Sequence, residues 1–282
     1  MGGMECAGCT MIAFGPALAI FIIVIARDPL RVILFVAGAF FWLLALLVSA
    51  LLWVAVVPLK SEAAFGLFFS VIFQEVFRFL YFLVLKKAES GLEKVSQNGM
   101  HIEGVHSLKN AKHTIALVCG LGFGFMSGAF SIVNVLADAN GPGTVGFPVS
   151  AGLLNDTYGS KMSYNFFFTS SLTTSAFVLL QVFWNVIFWN CCRVRCYIGV
   201  VVVIACHILL SGLSLVNRMG YYAVTLPITF AALFFMMGWA FFVAGGSFGN
   251  IKRWAVETRA GACRANAEAN QPIAQQQQPV VS

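Results

Sequence analysis

One uncharged apolar stretch, residues 114–136, restricts most strongly what this chain can fold into. As an α-helix of 23 residues it would extend roughly 34 Å at about 1.5 Å per residue, enough to cross the ~30 Å hydrocarbon core of a bilayer. Gly120, Gly124 and Gly128 recur at every fourth position and would line one face of that helix. Because small residues let two helices approach closely in lipid, the stretch predicts a transmembrane helix with a packing groove.

The same apolar character extends over most of the chain. Of its 282 residues, 60% are hydrophobic and only 10% are charged, whereas soluble domains carry about 25% charged residues. Helices satisfy their backbone hydrogen bonds internally, so apolar runs of this length predict membrane-spanning helices. We therefore predict an all-α, polytopic membrane domain in residues 1–250. Its seven predicted transmembrane helices are 6–26, 32–57, 64–85, 114–136, 165–188, 197–216 and 223–244.

Lysine and arginine are unevenly divided between the two sides that these spans define. The connections on one side carry three of them, whereas those on the other side, together with the C-terminal segment, carry thirteen. The positive-inside rule then places the N-terminus in the lumen or outside the cell and the C-terminus in the cytoplasm. The same bias accounts for the net charge of +6, because the basic residues face an anionic leaflet, so no nucleic-acid partner is expected.

The segments between and after the spans carry weaker signals. From residue 251 the sequence becomes polar and glutamine-rich, which predicts a disordered cytoplasmic tail over 251–282. Asn155 opens an N-x-T sequon in a predicted luminal loop and is a candidate glycosylation site. Cys191, Cys192 and Cys196 flank a predicted cytoplasmic turn, where acylated and unmodified thiols are both consistent with the sequence. His101, His106 and His113 lack metal-ligand spacing, and Cys6 and Cys9 have C-x-x-C spacing without a second ligand pair, so neither a metal nor a cofactor is expected.

Polar side chains inside the predicted spans call for an explanation, because a charge at the bilayer centre costs about 2.5–3.5 kcal/mol. The third span contains Gln74, Glu75 and Arg78. Glu75 and Arg78 are three residues apart on one helix face, which predicts a buried ion pair. An ion or substrate site of a transporter is the alternative interpretation of this pair. Interhelical hydrogen bonds are predicted for other intramembrane polar residues, namely Asn134, Gln181, Asn185 and His207.

A second alternative is an intramembrane serine protease. Ser127 precedes Gly128 in the middle of a span, and His207 lies two spans later, an order similar to that of the rhomboid Ser–His dyad. The rhomboid G-x-S-G motif requires glycine at position 125, where this chain has Phe125. Ser127 is therefore predicted to be a small residue of the helix-packing surface, with no catalytic residue in the chain.

Several ordered motifs between residues 8 and 250 closely resemble those of the Aph family, the anterior-pharynx-defective subunit of γ-secretase. The resemblance implies a seven-helix scaffold with a luminal N-terminus, which agrees with the distribution of basic residues. The motifs include Gly8-Cys9-Thr10, Phe14-Gly15-Pro16, Asp28-Pro29-Leu30-Arg31-Val32, Gln74-Glu75-Val76-Phe77-Arg78, Leu136-Ala137-Asp138, Gly141-Pro142-Gly143 and Ala244-Gly245-Gly246-Ser247.

The resemblance also implies a function. A member of this family assembles in the bilayer with presenilin, nicastrin and the presenilin enhancer. Presenilin supplies the two catalytic aspartates, so the Aph subunit is an essential but non-catalytic scaffold. The complex processes type I membrane proteins such as Notch and amyloid precursor protein. Its expected locations are the endoplasmic reticulum, the Golgi and the plasma membrane.

Two sets of residues carry the family pattern over to this chain. Gly120, Gly124 and Gly128 match the assembly motif of the family. The family usually has histidines in both the fifth and sixth spans; His207 matches the second, whereas Gln181 stands at the first position. A hydrogen-bonding role for this pair is therefore expected, without a requirement for two titrating imidazoles.

Overall fold

The computed structural model describes residues 3–56, 63–97, 111–140, 161–219, 221–247 and 249. Throughout these residues the regular structure is helical, without a β-strand. Seven helices are long and apolar enough to cross a membrane, which confirms the predicted all-α, seven-span fold class. They are α1 (Gly3–Ile20), α2 (Pro29–Ala55), α3 (Ala63–Gln97), α4 (Lys112–Asn140), α5 (Lys161–Val194), α6 (Tyr197–Leu215) and α7 (Tyr222–Val243).

A tight hairpin joins the first two helices. Beyond α1 the chain continues through a π-helical turn, Phe21–Ile25, before α2 begins. Asp28 caps α2 by accepting a hydrogen bond from the Leu30 backbone N–H at 3.0 Å, and Pro29 occupies the first helical position. Arg31 pairs with Asp28 at 3.0 Å and donates to the carbonyl of Val24 at 2.7 Å. These contacts explain why α2 begins at residue 29, before the apolar run that starts at 32.

Two helices extend well beyond their predicted spans. The third span was predicted at 64–85, but α3 continues to Gln97; the fifth was predicted at 165–188, but α5 covers Lys161–Val194. Hydropathy marks where a helix leaves the apolar layer, whereas good helix formers such as lysine, glutamate and leucine extend the helix further. The extensions are linked because Arg193 forms a bidentate pair with Glu89, with N–O distances of 2.7 and 3.0 Å.

Helices α4 and α5 form the centre of the bundle. In their membrane-spanning parts 61% and 72% of residues are buried, against 22–33% in the other five helices, so these two are surrounded by protein. Helix α4 packs against α2 and α5, α1 packs against α4 and α5, and α3 packs against α2 and α6. The outer helices consequently leave large apolar side chains exposed on the surface that would meet lipid or a partner.

The chain divides into two compact units, Met1–Ala240 and Phe241–Ser282. The first unit contains the helical bundle up to Ala240. The described part of the second unit is the last turn of α7 and its cap. There the Gly246 N–H donates to the Phe241 carbonyl at 2.9 Å, and the Gly245 N–H donates to the Phe242 carbonyl at 3.0 Å. Gly245 has φ of +86°, so a left-handed glycine ends the helix in a Schellman motif.

Candidate functional site

The three tandem glycines of α4 face α5 of the same chain. A Cβ atom added at Gly120 would lie 2.7 Å from the Asn185 Cβ, and one added at Gly124 would lie 2.6 Å from the Val178 carbonyl oxygen. A Cβ at Gly128 would overlap the Val178 side chain. Since real side-chain atoms do not approach this closely, the glycines permit direct contact between the α4 and α5 backbones. The helix that fills the predicted groove is therefore α5.

Glycines also bring α4 against α2 on the opposite side. A Cβ atom at Gly38 would lie 2.5 Å from the Cys119 carbonyl oxygen, and one at Gly122 would overlap the Phe35 carbonyl oxygen. This second contact was not predicted, although Gly38 lies between two alanines and Gly122 lies two residues from Gly120. Helix α4 is thus held between two backbones, by different sets of glycines on two of its faces.

Beside this packed pair lies a polar network that joins three helices. Helix α3 contributes Gln74, Glu75 and Arg78, α5 contributes Gln181, and α6 contributes His207; each side chain is at most 9% exposed. The His207 Nδ1 lies 2.6 Å from the Glu75 Oε1. The Arg78 Nε lies 3.4 Å from the Glu75 Oε2, which confirms the predicted ion pair between positions three apart.

Gln181 lies at the junction of the network. Its Oε1 accepts a hydrogen bond from the Arg78 guanidinium. Its Nε2 lies 3.3 Å from the His207 Nε2 and 3.4 Å from the Gln74 Oε1. A side-chain amide offers one acceptor and two N–H donors, so Gln181 can engage all three neighbours at the same time. The sequence predicted a hydrogen bond for Gln181 but not this three-way role.

Aromatic rings enclose the network. The Arg78 guanidinium lies 5.0 Å from the centre of the Phe123 ring, a cation–π distance, and the rings of Trp184 and His207 are 4.5 Å apart at their centres. Next to Trp184, the Asn185 side chain donates to the Ala116 carbonyl at 2.6 Å and ties α5 to α4. Such dry surroundings strengthen the attraction between opposite charges and make an unpaired charge costly.

The chemistry available to this arrangement is limited. The Glu75 carboxylate faces both Arg78 and His207, so its negative charge is compensated and it is a poor general base. The Nδ1 of His207 faces Glu75 and its Nε2 faces Gln181, so both ring nitrogens are engaged by residues other than Ser127. Among the residues that the structure describes, no group of three or more His, Cys, Asp or Glu could hold a metal ion. The geometry therefore favours a structural role for the network.

The three cysteines near the end of α5 differ in burial. Cys191 is buried, Cys192 is partly buried and Cys196 is exposed. The side chain of Asn134 lies outside what the structure describes, as do the candidate glycosylation site Asn155 and the predicted tail 251–282. A buried polar contact of Tyr81 was also not predicted from the sequence. The Tyr81 hydroxyl donates to the Leu34 carbonyl at 2.8 Å, and only its place among the apolar residues of the third span could have indicated it.

The sequence of this chain is similar to known proteins along its whole membrane region. Residues 4–247 match the family described as Aph-1 protein. The chain is 42% identical to the γ-secretase subunit Aph-1b of Danio rerio, over 87% of this chain and 90% of that protein. It is also 42% identical to the γ-secretase subunit Aph-1 of Drosophila melanogaster, over 85% and 92% of the two chains. For γ-secretase subunit APH-1B of Homo sapiens the identity is 40%, over 87% and 90%. By the match across its seven-helix region, this chain belongs to the Aph-1 family.

Proposed function

We propose that this chain is a non-catalytic scaffold subunit of a γ-secretase complex in the membrane. The observation that carries the proposal is its 40–42% identity, over at least 85% of its length, to relatives that are named γ-secretase subunits. The internal geometry supports a scaffold. The described polar groups at the centre of the bundle contact one another, so their arrangement supports rigid packing more than turnover of a substrate.

The proposed partners are presenilin, nicastrin and the presenilin enhancer. In this proposal presenilin supplies the catalytic aspartates, and the outer apolar faces of the Aph-1 bundle bind the transmembrane helices of the other subunits. The assembled protease would process type I membrane proteins such as Notch and amyloid precursor protein. It would act in the endoplasmic reticulum, the Golgi and the plasma membrane, with the N-terminus of this chain in the lumen and its C-terminus in the cytoplasm.

Replacement of the endogenous subunit tests the proposal. Cells that lack their own Aph-1 would express this full chain with an affinity tag after Ser282, and the co-purifying proteins would be identified. We expect presenilin, nicastrin and the presenilin enhancer in the purified complex, together with restored cleavage of a Notch-derived substrate. Efficient membrane insertion without these partners and without restored cleavage would overturn the proposal. The same tag tests orientation, because a tag that antibodies reach in unpermeabilised cells would contradict a cytoplasmic C-terminus.

A further inference from the structure

A cavity of about 200 Å³ lies between α4 and α5, away from the polar network. It is located where α4 begins and α5 ends, so it is at one membrane surface. A water molecule takes up about 30 Å³ in the liquid, so the cavity has room for a group of phosphate size. Its polar lining is formed by Lys112, His113, Trp189, Asn190 and Arg193.

The surroundings of this cavity are positively charged. Lys112 is exposed at the start of α4, and Arg193 is partly buried near the end of α5. Lys86 is near, because the Lys86 Nζ and the Arg193 Cζ lie 5.9 and 5.7 Å from the centre of the same Phe82 ring. Glu89 is the acidic partner here, and it pairs with Arg193. Three permanent cations against one carboxylate leave a net positive field, whereas the amino end of α4 and the carboxyl end of α5 contribute partial charges of opposite sign.

Trp189 forms part of the cavity wall and is 1% exposed. Its indole Nε1 has almost no accessible surface, so this N–H is not offered to a ligand in the cavity. The cavity would therefore attract a ligand through its cations, Lys112 and Arg193, and its net positive charge indicates an anionic ligand.

We propose that this cavity binds the phosphate of an anionic lipid headgroup. Lipid is favoured over a soluble phosphate because Ala116, Val186 and Trp189 extend the wall of the cavity into the membrane-spanning parts of α4 and α5. Basic pockets between transmembrane helices are suited to phosphorylated headgroups, and Trp at the interface tolerates both a polar and an apolar neighbour. Lys86, Lys87 and Lys94 also line a shallow groove on α3. The proposal does not depend on the scaffold function.

The test measures lipid binding to the purified full chain in neutral detergent by native mass spectrometry. The probes are dioctanoyl phosphatidylinositol 4-phosphate, dioctanoyl phosphatidylcholine and inositol 1,4-bisphosphate, which is the headgroup without acyl chains. We expect the anionic lipid to bind at least tenfold more tightly than either of the others. Lys112→Gln should weaken its binding about fivefold, since one basic residue near the membrane contributes about that factor.

Arg27→Gln is the matched control. Arg27 is an exposed arginine in the turn between α1 and α2, on the membrane side where α4 begins, and it does not line the cavity. Its replacement should leave binding within twofold. Equal weakening by Arg27→Gln and Lys112→Gln would mean diffuse attraction and would overturn the proposal, as would unchanged binding in Lys112→Gln. Equal affinity for inositol 1,4-bisphosphate and for the lipid would identify a soluble phosphate as the ligand and would also overturn it.

Discussion

The His207 Nδ1 lies 2.6 Å from the Glu75 Oε1, which connects the middle of α6 to the middle of α3. The two residues are 132 positions apart, and neither is more than 4% exposed. With Glu75 ionised, the Nδ1 of His207 donates and its Nε2 is left to accept from Gln181. One histidine thus connects an anionic carboxylate on α3 to a neutral amide on α5, and it fixes the three helices relative to one another.

The first prediction concerns the contact between α4 and α5. Gly124→Ala places a methyl group where the Val178 carbonyl oxygen lies 2.6 Å away, so one backbone must move. We expect a loss of about 1–3 kcal/mol in the free energy of unfolding, the usual cost of overpacking. Thermal unfolding of the purified chain in detergent measures it. Gly212→Ala on α6 is the matched control, because no atom lies within 4 Å of its added Cβ. Equal stability of the two variants would show that the close approach at Gly124 is unimportant.

The second prediction concerns the ion pair. Glu75→Gln leaves the Arg78 guanidinium buried without its counter-charge, and Arg78→Met does the same to the Glu75 carboxylate. Each single variant should lose about 3–5 kcal/mol, and the double variant should lose clearly less than the sum. Thermal unfolding of the four proteins completes the double-mutant cycle. Additive losses would mean that the two charges do not stabilise each other.

The third prediction concerns the amide at the junction of the network. Gln181→Leu removes the acceptor of Arg78 and the contacts to His207 and Gln74. We expect a loss of about 1–3 kcal/mol for the polar groups left unpaired. Gln181→His keeps a nitrogen that can accept from Arg78, so it should retain part of the stability. Measured by thermal unfolding, a leucine variant as stable as the parent chain would show that the contacts of Gln181 contribute nothing.

The fourth prediction distinguishes a scaffold from a serine protease. His207 faces Glu75 and Gln181, so it is not placed to activate Ser127. Ser127→Ala should therefore leave the cleavage rate per co-purified presenilin within about twofold. Loss of a catalytic serine would instead lower that rate on the order of 10⁴-fold. His207→Ala should instead reduce the amount of assembled complex, since it leaves Glu75 and Gln181 without a shared partner. Abolished cleavage in an intact Ser127→Ala complex would reverse this assignment.

The sequence by itself determined that this chain folds in a lipid membrane. Long uncharged runs cannot remain in water and must satisfy their backbone as helices, so seven spans and an all-α fold follow from composition and run length. The local pair of Glu75 and Arg78 could also be predicted, because residues three positions apart in a helix lie on the same face. Such inferences require only the geometry of a single helix.

Only the tertiary structure decided which helices meet. The spacing of Gly120, Gly124 and Gly128 predicted a groove, but it could not identify α5 as the helix that fills it or show that Gly38 and Gly122 bring α2 to the other side. The bonds from Glu75 to His207 and from Arg78 to Gln181 join residues more than 100 positions apart. In a membrane every apolar face is compatible with lipid, so hydropathy cannot select a helix's neighbour. That selection depends on close packing and on the pairing of buried polar groups, both of which exist only once the helices are assembled.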